Sequence, residues 1–286
     1  MTANPCANLR HACIAPLLAA VITLGLNDGA AGEERSPAQW YGGKLTASAG
    51  FDFSTGGYGE AENVTLWYFP LSARYLFEEL GLTNWDQIEL KVTVPILYLE
   101  APPGVVVGPD GPVPVSPTGE TRRTEGLGDV RVRGTYSYIS TRPAVPVISV
   151  SGELSLPSGS EEDGLGTGET IYTTKLQLAK SFRLGDGSRR LSLFGDAGFR
   201  TSKGFDDVWL ASGGFNLRVT RNVSVGVAHQ WRQASSSRRN DRQELIPFAT
   251  LTVGRYKLAP YGVVGFSNAS PDYGVGLTFS ISQRFD

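Results

Sequence analysis

The chain lacks most of what catalysis and disulfide-held folding require. Of its 286 residues only two are cysteine, Cys6 and Cys13, and two are histidine, His11 and His229. Both cysteines and His11 belong to an opening segment of its own character. Arg10 and His11 precede an apolar run from Ala12 to Leu26, then Asn27, Asp28 and the small cluster Gly29-Ala30-Ala31-Gly32. A basic start, a short apolar middle and small residues at the exit are the pattern of a secretory signal peptide, cleaved after Ala31 or Gly32. The alternative, a membrane-anchoring helix, is disfavoured by the length of the run and by Pro16 and Thr23 within it. The expected division is therefore 1–32 as cleaved signal peptide and 33–286 as the mature domain. Neither cysteine follows the apolar run behind a small-residue box, which argues against a lipid anchor. The mature chain would contain no cysteine, which excludes disulfides, thiol catalysis and thiolate metal sites. One remaining histidine does not make an ordinary zinc site, so neither metal nor cofactor is expected.

Long apolar runs are missing as well. After residue 32 nothing approaches the roughly 18 consecutive apolar residues of a membrane-crossing helix. The net charge is only -2, too balanced for a nucleic-acid-binding surface. Mean hydropathy lies slightly below zero.

What the sequence has is alternation. From Asp272 to the end, Tyr273, Val275, Leu277, Phe279, Ile281 and Phe285 share one face of an extended chain, while Gly274, Gly276, Thr278, Ser280, Ser282 and Arg284 share the other. The run exceeds a soluble strand of about 5–6 residues and suits the roughly 9–11 needed to cross a bilayer at a tilt. The pattern recurs at 87–99, 129–140 and 147–156, and more weakly at 42–53, 60–77, 169–183, 190–201, 207–220, 222–234, 242–254 and 258–267. With the last run this makes about twelve strands, an even number as in bacterial single-chain barrels. The expected fold is all-β: a transmembrane antiparallel β-barrel, an up-and-down meander in the outer membrane of a Gram-negative cell. A secreted β-sandwich of the lectin kind does not need strands this long.

Loops and aromatics support that reading. Turns near Thr220–Asn222, Arg255–Lys257 and Leu184–Arg189 fall on one side; Ala101–Thr124, Pro157–Gly168, Ser235–Asp241 and the tip near Asn268–Pro271 fall on the other. Short periplasmic turns and longer outer loops are the expected asymmetry. Ala101–Thr124 carries six prolines; no strand or helix is expected in its interior, and it is a candidate to fold over or into the mouth. Outward-facing Tyr98, Tyr172, Phe199, Trp209, Trp231 and Tyr273 fall at the outer strand ends, and Tyr136, Tyr138, Phe182 and Phe285 at the inner ends, as two girdles. Lys180, outward by parity, is near enough to the inner end to snorkel. Pro95 and Pro247 interrupt strands drawn as paired on both sides and call for a bulge or an edge. The region 60–77, with Pro70 in its middle, is the weakest strand pattern.

The polar face of a barrel lines its lumen. By parity that face receives Glu89 and Lys91, Arg131 and Arg133, Glu153, Lys175 with Gln177, Asp196 with Arg200, Asn216 with Arg218, Arg232 and Glu244. Two readings stand side by side: a permeation path whose basic side chains attract anionic solutes, or opposite charges that neutralise one another and fill a narrow lumen. Phe194, Leu210, Ile246 and Phe248 are inward too and would make part of the interior greasy. His229 has the parity of Val225, Val227 and Trp231, towards lipid, and no motif joins a serine to it, so enzyme activity is not expected. Gly164-Leu165-Gly166-Thr167-Gly168 has the look of a phosphate cradle but lacks a following lysine and helix. Beside Glu161, Glu162 and Asp163 it reads better as a flexible acidic outer loop, with bridging of divalent cations or lipopolysaccharide the weaker option. The small residues of the last strand would leave space beside it, along which an open path would run.

Three pieces carry a resemblance: Gly126-Leu127-Gly128-Asp129-Val130 opening a strand, Leu154-Ser155-Leu156-Pro157-Ser158-Gly159 ending the next, then Gly164 to Gly168 with Tyr172 beyond. Their order and spacing resemble the outer-membrane family named for the meta-pathway of phenol degradation. The likeness is concentrated in 126–183. It implies an outer-membrane barrel and uptake of small, aromatic or hydrophobic compounds, and it supplies no binding residues. Asp286 after Phe285 departs from the terminal aromatic usual in barrel assembly. The expected function is a channel or transporter for small solutes, with aromatic, hydrophobic and anionic compounds as the classes in view and with membrane lipid and lipopolysaccharide around it. The other reading is a plugged barrel acting structurally or through its outer loops. No feature of the sequence speaks to oligomeric state.

Overall fold

The computed structural model describes residues 43–285, apart from breaks at 61, 79–85, 116–119, 141, 143, 186–188, 204 and 235–239; the signal-like segment and Asp286 lie outside the described residues. The strands are β1 (Gly43–Gly56), β2 (Val64–Glu78), β3 (Gln87–Ala101), β4 (Val105–Gly108), β5 (Gly111–Pro114), β6 (Arg122–Leu127), β7 (Val130–Tyr138), β8 (Val147–Leu156), β9 (Ile171–Leu184), β10 (Arg189–Ser202), β11 (Phe205–Arg218), β12 (Val223–Arg232), β13 (Arg242–Val253), β14 (Tyr256–Gly265) and β15 (Tyr273–Phe285).

Chain neighbours pair antiparallel around a closed wall, and β1 closes it on β15 from Gly43↔Phe285 to Thr55↔Tyr273. β6 and β7 both pair with β3 and are two halves of one stave, so the wall has twelve staves. Closure leaves no unpaired edge in lipid. The burial is inside out. Ser192, Ser149 and Thr173 are buried, whereas Leu71, Leu176 and Val275 keep about half their surface exposed (51%, 49% and 50%). An apolar belt of that extent on a monomer marks a lipid-facing wall. Serine and threonine pairs zip the inner face across neighbouring strands, as at Thr46–Ser282 (2.9 Å), Ser137–Ser149 (2.8 Å) and Ser181–Ser192 (2.9 Å). On the outer face Tyr273, Phe53, Trp67 and Tyr98 form a chain of rings with centroids 6.1, 5.0 and 6.4 Å apart. Phe199 and Trp209 add a pair at 5.2 Å. The girdle thus includes Phe53 and Trp67 besides the expected rings.

The prolines have physical explanations. Pro95 sits where β6 gives way to β7: Thr93 faces Arg131 but Ile96 faces Leu127, one extra residue on the opposite side. This is a β-bulge, and Gly128 N–H donates to the Pro95 carbonyl at 2.9 Å across it. Pro247 keeps its register with Val227 of β12, while the β13–β14 ladder is interrupted between Leu245↔Val264 and Phe248↔Tyr261. Pro70 faces Pro95 on β3, and on the β1 side the ladder skips from Ala49↔Leu71 to Asp52↔Tyr68, where Gly50 gives its ring room: an added Cβ would lie 2.8 Å from it.

One expectation is corrected. The interior of 101–124 is not free of strands: β4 and β5 form a two-residue hairpin around Pro109-Asp110. Pro112 and Pro114 both belong to β5, which pairs with β4 alone, so a proline nitrogen turned to its other side costs no ladder bond. Pro109 presets the turn's first central position, and Gly111 supplies a φ of 108°.

Candidate functional site

The β4–β5 hairpin lies inside the barrel, in the half bounded by the longer loops. Val105 and Val107 pack with Tyr58, Leu66, Tyr68, Leu97, Leu99 and Leu165 in one buried cluster against the β2–β3 wall. At about 1.5–3 kcal/mol per fully buried large apolar side chain, this seat is the main force holding the hairpin. Tyr58 reaches the cluster from the β1–β2 loop in a left-handed conformation (φ 49°), donating its hydroxyl to Ser54 Oγ at 2.8 Å. Burial pushes its phenol well above the ordinary tyrosine range, partly opposed by the Arg242 guanidinium.

The hairpin tip crosses to the other wall. Arg200 of β10 donates to Asp110 Oδ2, Arg232 of β12 lies 3.3 Å from the same oxygen, and Arg131 of β7 donates to the Pro109 carbonyl at 3.2 Å. Desolvation pushes the Asp110 carboxyl up, but the Arg200 and Arg232 guanidiniums outweigh it and hold the group well below the usual carboxylate range. Around this latch the wall charges pair off: Arg133–Glu153 at 2.5 Å, Lys175–Asp196 at 2.9 Å, and Arg242–Glu244 on β13. The space left beside the tip is small. A cavity of about 40 Å³, room for a few waters, is lined by Asp110, Lys175, Ser212, Gln230, Arg232, Arg242 and Glu244 among others. The hairpin tip narrows the lumen at this level.

A second loop completes the outer filling. Asp129, at the β6–β7 bulge, accepts from Gly159 N and Thr167 N at 3.0 Å each and from Thr167 Oγ1 at 3.1 Å. Gly164 carbonyl accepts Val107 N–H at 2.9 Å, tying the loop to the hairpin. Glycine is required here: a Cβ on Gly166 would sit 2.4 Å from Asp129 Oδ1, and one on Gly164 would sit 2.3 Å from the Val105 carbonyl. The flexible acidic loop of the sequence reading is corrected in part. Glu161 to Asp163 are exposed, but Gly164 to Thr167 are buried. Two backbone N–H groups of this loop hold an internal anion, the Asp129 carboxylate.

Below the latch the lumen changes character. Phe194, Ala228, Ile246, Phe248, Tyr261 and Val263 form an apolar patch on the inner wall. Tyr261 donates to Asp52 across the gap left by Gly276, whose Cβ would meet the ring at 2.2 Å. The expected open path along the last strand is therefore filled at Gly276. Beyond it, Thr278, Ser280 and Ser282 do border space: a cavity of about 380 Å³ at the short-turn end. Its lining includes Lys44, Arg74, Lys91, Arg218, Arg221, Arg255 and Lys257, and no aspartate or glutamate among the described residues.

The inward set named from parity thus divides. Arg131, Arg133, Glu153, Lys175, Asp196, Arg200, Arg232 and Glu244 gather around the latch; Lys91 and Arg218 line the basic cavity, with Glu89 beside it, 3.1 Å from Arg74. Sequence reasoning missed Asp110, which lay in the proline-rich loop. It also missed Arg242, Arg74, Lys44 and Lys257, whose parity was available but unused. His229 is exposed on the outer face, opposite Gly213 and Leu245 in the ladders.

No protein-family model matches the sequence. No curated protein matches it either. Among solved structures, an outer membrane channel from Pseudomonas putida F1 is similar at a TM-score of 0.59 and 16% identity, covering 87% of this chain and 100% of that one. The translocator domain of the autotransporter NalP from Neisseria meningitidis gives a TM-score of 0.46 and 10% identity, covering 85% and 88%. The first likeness is one of fold, and it agrees with the closed twelve-stave wall and its lipid-facing belt: the chain is a β-barrel of the outer membrane.

Proposed function

We propose that this barrel is a passive channel for small solutes, narrowed in its outer half by the β4–β5 hairpin and opening into a basic vestibule at the periplasmic end. The observation that carries this reading is the vestibule itself: about 380 Å³ of lumen lined by cations and hydroxyls. A barrel that served only as a wall would fill that volume with side chains. Anionic solutes suit the basic lining, and the apolar patch of Phe194, Ile246, Phe248 and Val263 suits solutes with an aromatic or hydrophobic part. We also assign the chain to the outer-membrane family of the phenol meta-pathway. The support is that the three sequence pieces of that resemblance meet around Asp129 and shape the entrance.

A second reading, a plugged barrel acting through its outer loops, draws on the apolar seat of the hairpin. Planar bilayers separate the two. The channel reading expects discrete, salt-dependent conductance steps from the purified protein. A silent membrane at every voltage, with no solute flux into liposomes, selects the plug.

A further inference from the structure

We infer that the cavity beside the hairpin tip is a binding site for one compact monovalent anion, of halide or formate size, held between Arg232 and Arg242. The ladder brings these two side chains together: Arg232 of β12 and Arg242 of β13 are direct partners in register, and both line the cavity. Like charges directly opposite each other on one face of a sheet repel. Each arginine keeps a carboxylate, Arg232 the shared Asp110 and Arg242 the adjacent Glu244, but neither carboxylate serves the whole guanidinium. Glu244 takes the Nε donor of Arg242, and no acceptor among the described residues reaches its buried Nη1. The side chain is 4% exposed. A charged N–H shut away from bulk water without an acceptor costs more than a neutral one.

The charge around the tip selects an anion as that acceptor. Glu153, Asp196 and Glu244 match one cation each. Arg200 and Arg232 share the one carboxylate of Asp110, and Arg131 is set against the Pro109 carbonyl, so among the described residues cations exceed carboxylates at this level by two. Lys175 and the Gln230 amide line the cavity with the two arginines, so donors converge on it from β9, β12 and β13. An acceptor-only ion can take them together, in charge-assisted hydrogen bonds about twice as strong as neutral ones. Asp110 and Glu244 border the same space, so repulsion grows with each further charge on the ligand. At about 40 Å³ the space takes an ion of roughly one to three heavy atoms.

Bromide is the probe, because its anomalous scattering locates it. Crystals of the full-length protein grown in gluconate and moved into sodium bromide at about 0.1 M, where exposed charges are screened beyond about 10 Å, are expected to show an anomalous peak between the two guanidiniums. In neutral detergent the chloride NMR line should broaden saturably, with bromide and formate displacing chloride and gluconate failing to. Arg242→Gln should weaken chloride about tenfold, the order of one hydrogen bond to a charged group, and outward-facing Lys180→Gln should leave it unchanged. Heat-modified mobility on gels verifies the fold of each variant. If Arg242→Gln does not fold, Gln230→Leu, which removes a donor and keeps both charges, must weaken chloride in its place; if neither folds, the wild-type bromide peak decides. Water alone in the cavity, an adventitious ion only at other sites, or undiminished chloride binding in a folded variant would overturn the inference. The site requires no conduction, so its failure leaves the channel reading intact, and a silent bilayer leaves the site intact.

Discussion

Asp110 sits where the chain's own hairpin meets the far wall, and its carboxylate is shared by Arg200 and Arg232. Its native carboxyl is held below the ordinary range, burial opposing and the two guanidiniums prevailing. A group whose folded-state value is depressed contributes stability at pH above its unfolded value, about 3.9, and loses it only as pH falls through the lower native value. Acidifying from pH 7 to pH 4.5 should therefore leave the latch closed and the bilayer conductance unchanged. Asp110→Asn removes the charge at every pH and leaves two arginines facing a neutral amide, so conductance at pH 7 should rise. A rise in the wild type between pH 7 and 5 would contradict the arginine clamp; equal conductance in wild type and variant would detach Asp110 from gating. Nothing in the sequence pointed to this residue. Its partners are remote along the chain, and Pro-Asp-Gly announces only a turn.

At the scale of elements, the long staves were legible and the luminal pieces were not. A period of two marks a strand with one oily and one polar face, and the staves of this wall show it. The β4–β5 hairpin has no such contrast, because both its faces are buried inside the barrel, and its prolines argue against a strand only when both sides must pair. The 157–168 loop was misread for a related reason: Gly-Leu-Gly-Thr-Gly signals close backbone approach, but not to what. Here the partner is Asp129. Asp129→Ala should leave Gly159 N and Thr167 N without their acceptor, at about 1–3 kcal/mol for a buried group left unpaired, while Thr167 Oγ1 keeps the Glu169 carbonyl. Because β6 and β7 remain paired to β3, the loss falls on the loop and not on the wall. A glutamate-specific protease should then cut at Glu161 and Glu162 several times faster than in the wild type, with the barrel core intact on gels. Equal cleavage rates would show that the hairpin contacts alone hold the loop.

For the whole molecule, the distribution of charge along the lumen decides which ions would pass. Parity named arginines on the inward faces of their strands but gave no height, and height separates the charges around the hairpin tip from those bordering the cavity at the short-turn end. Arg131 and Arg133 belong to the level of the tip, one on the hairpin carbonyl and the other on Glu153. Replacing both by glutamine makes that level two charges more negative and removes the Arg133 guanidinium paired with Glu153, while the vestibule keeps its cations. Ions passing the hairpin tip would sample the charge there at a few ångströms, inside the Debye length of about 10 Å at 0.1 M salt. The wild-type channel should favour anions, and the Arg131→Gln/Arg133→Gln variant should move towards cations without full reversal, since the vestibule still repels them. Reversal potentials across a tenfold potassium chloride gradient measure this directly. A wild type that prefers cations, or a variant whose reversal potential does not move, would place the ion path away from this wall of the latch.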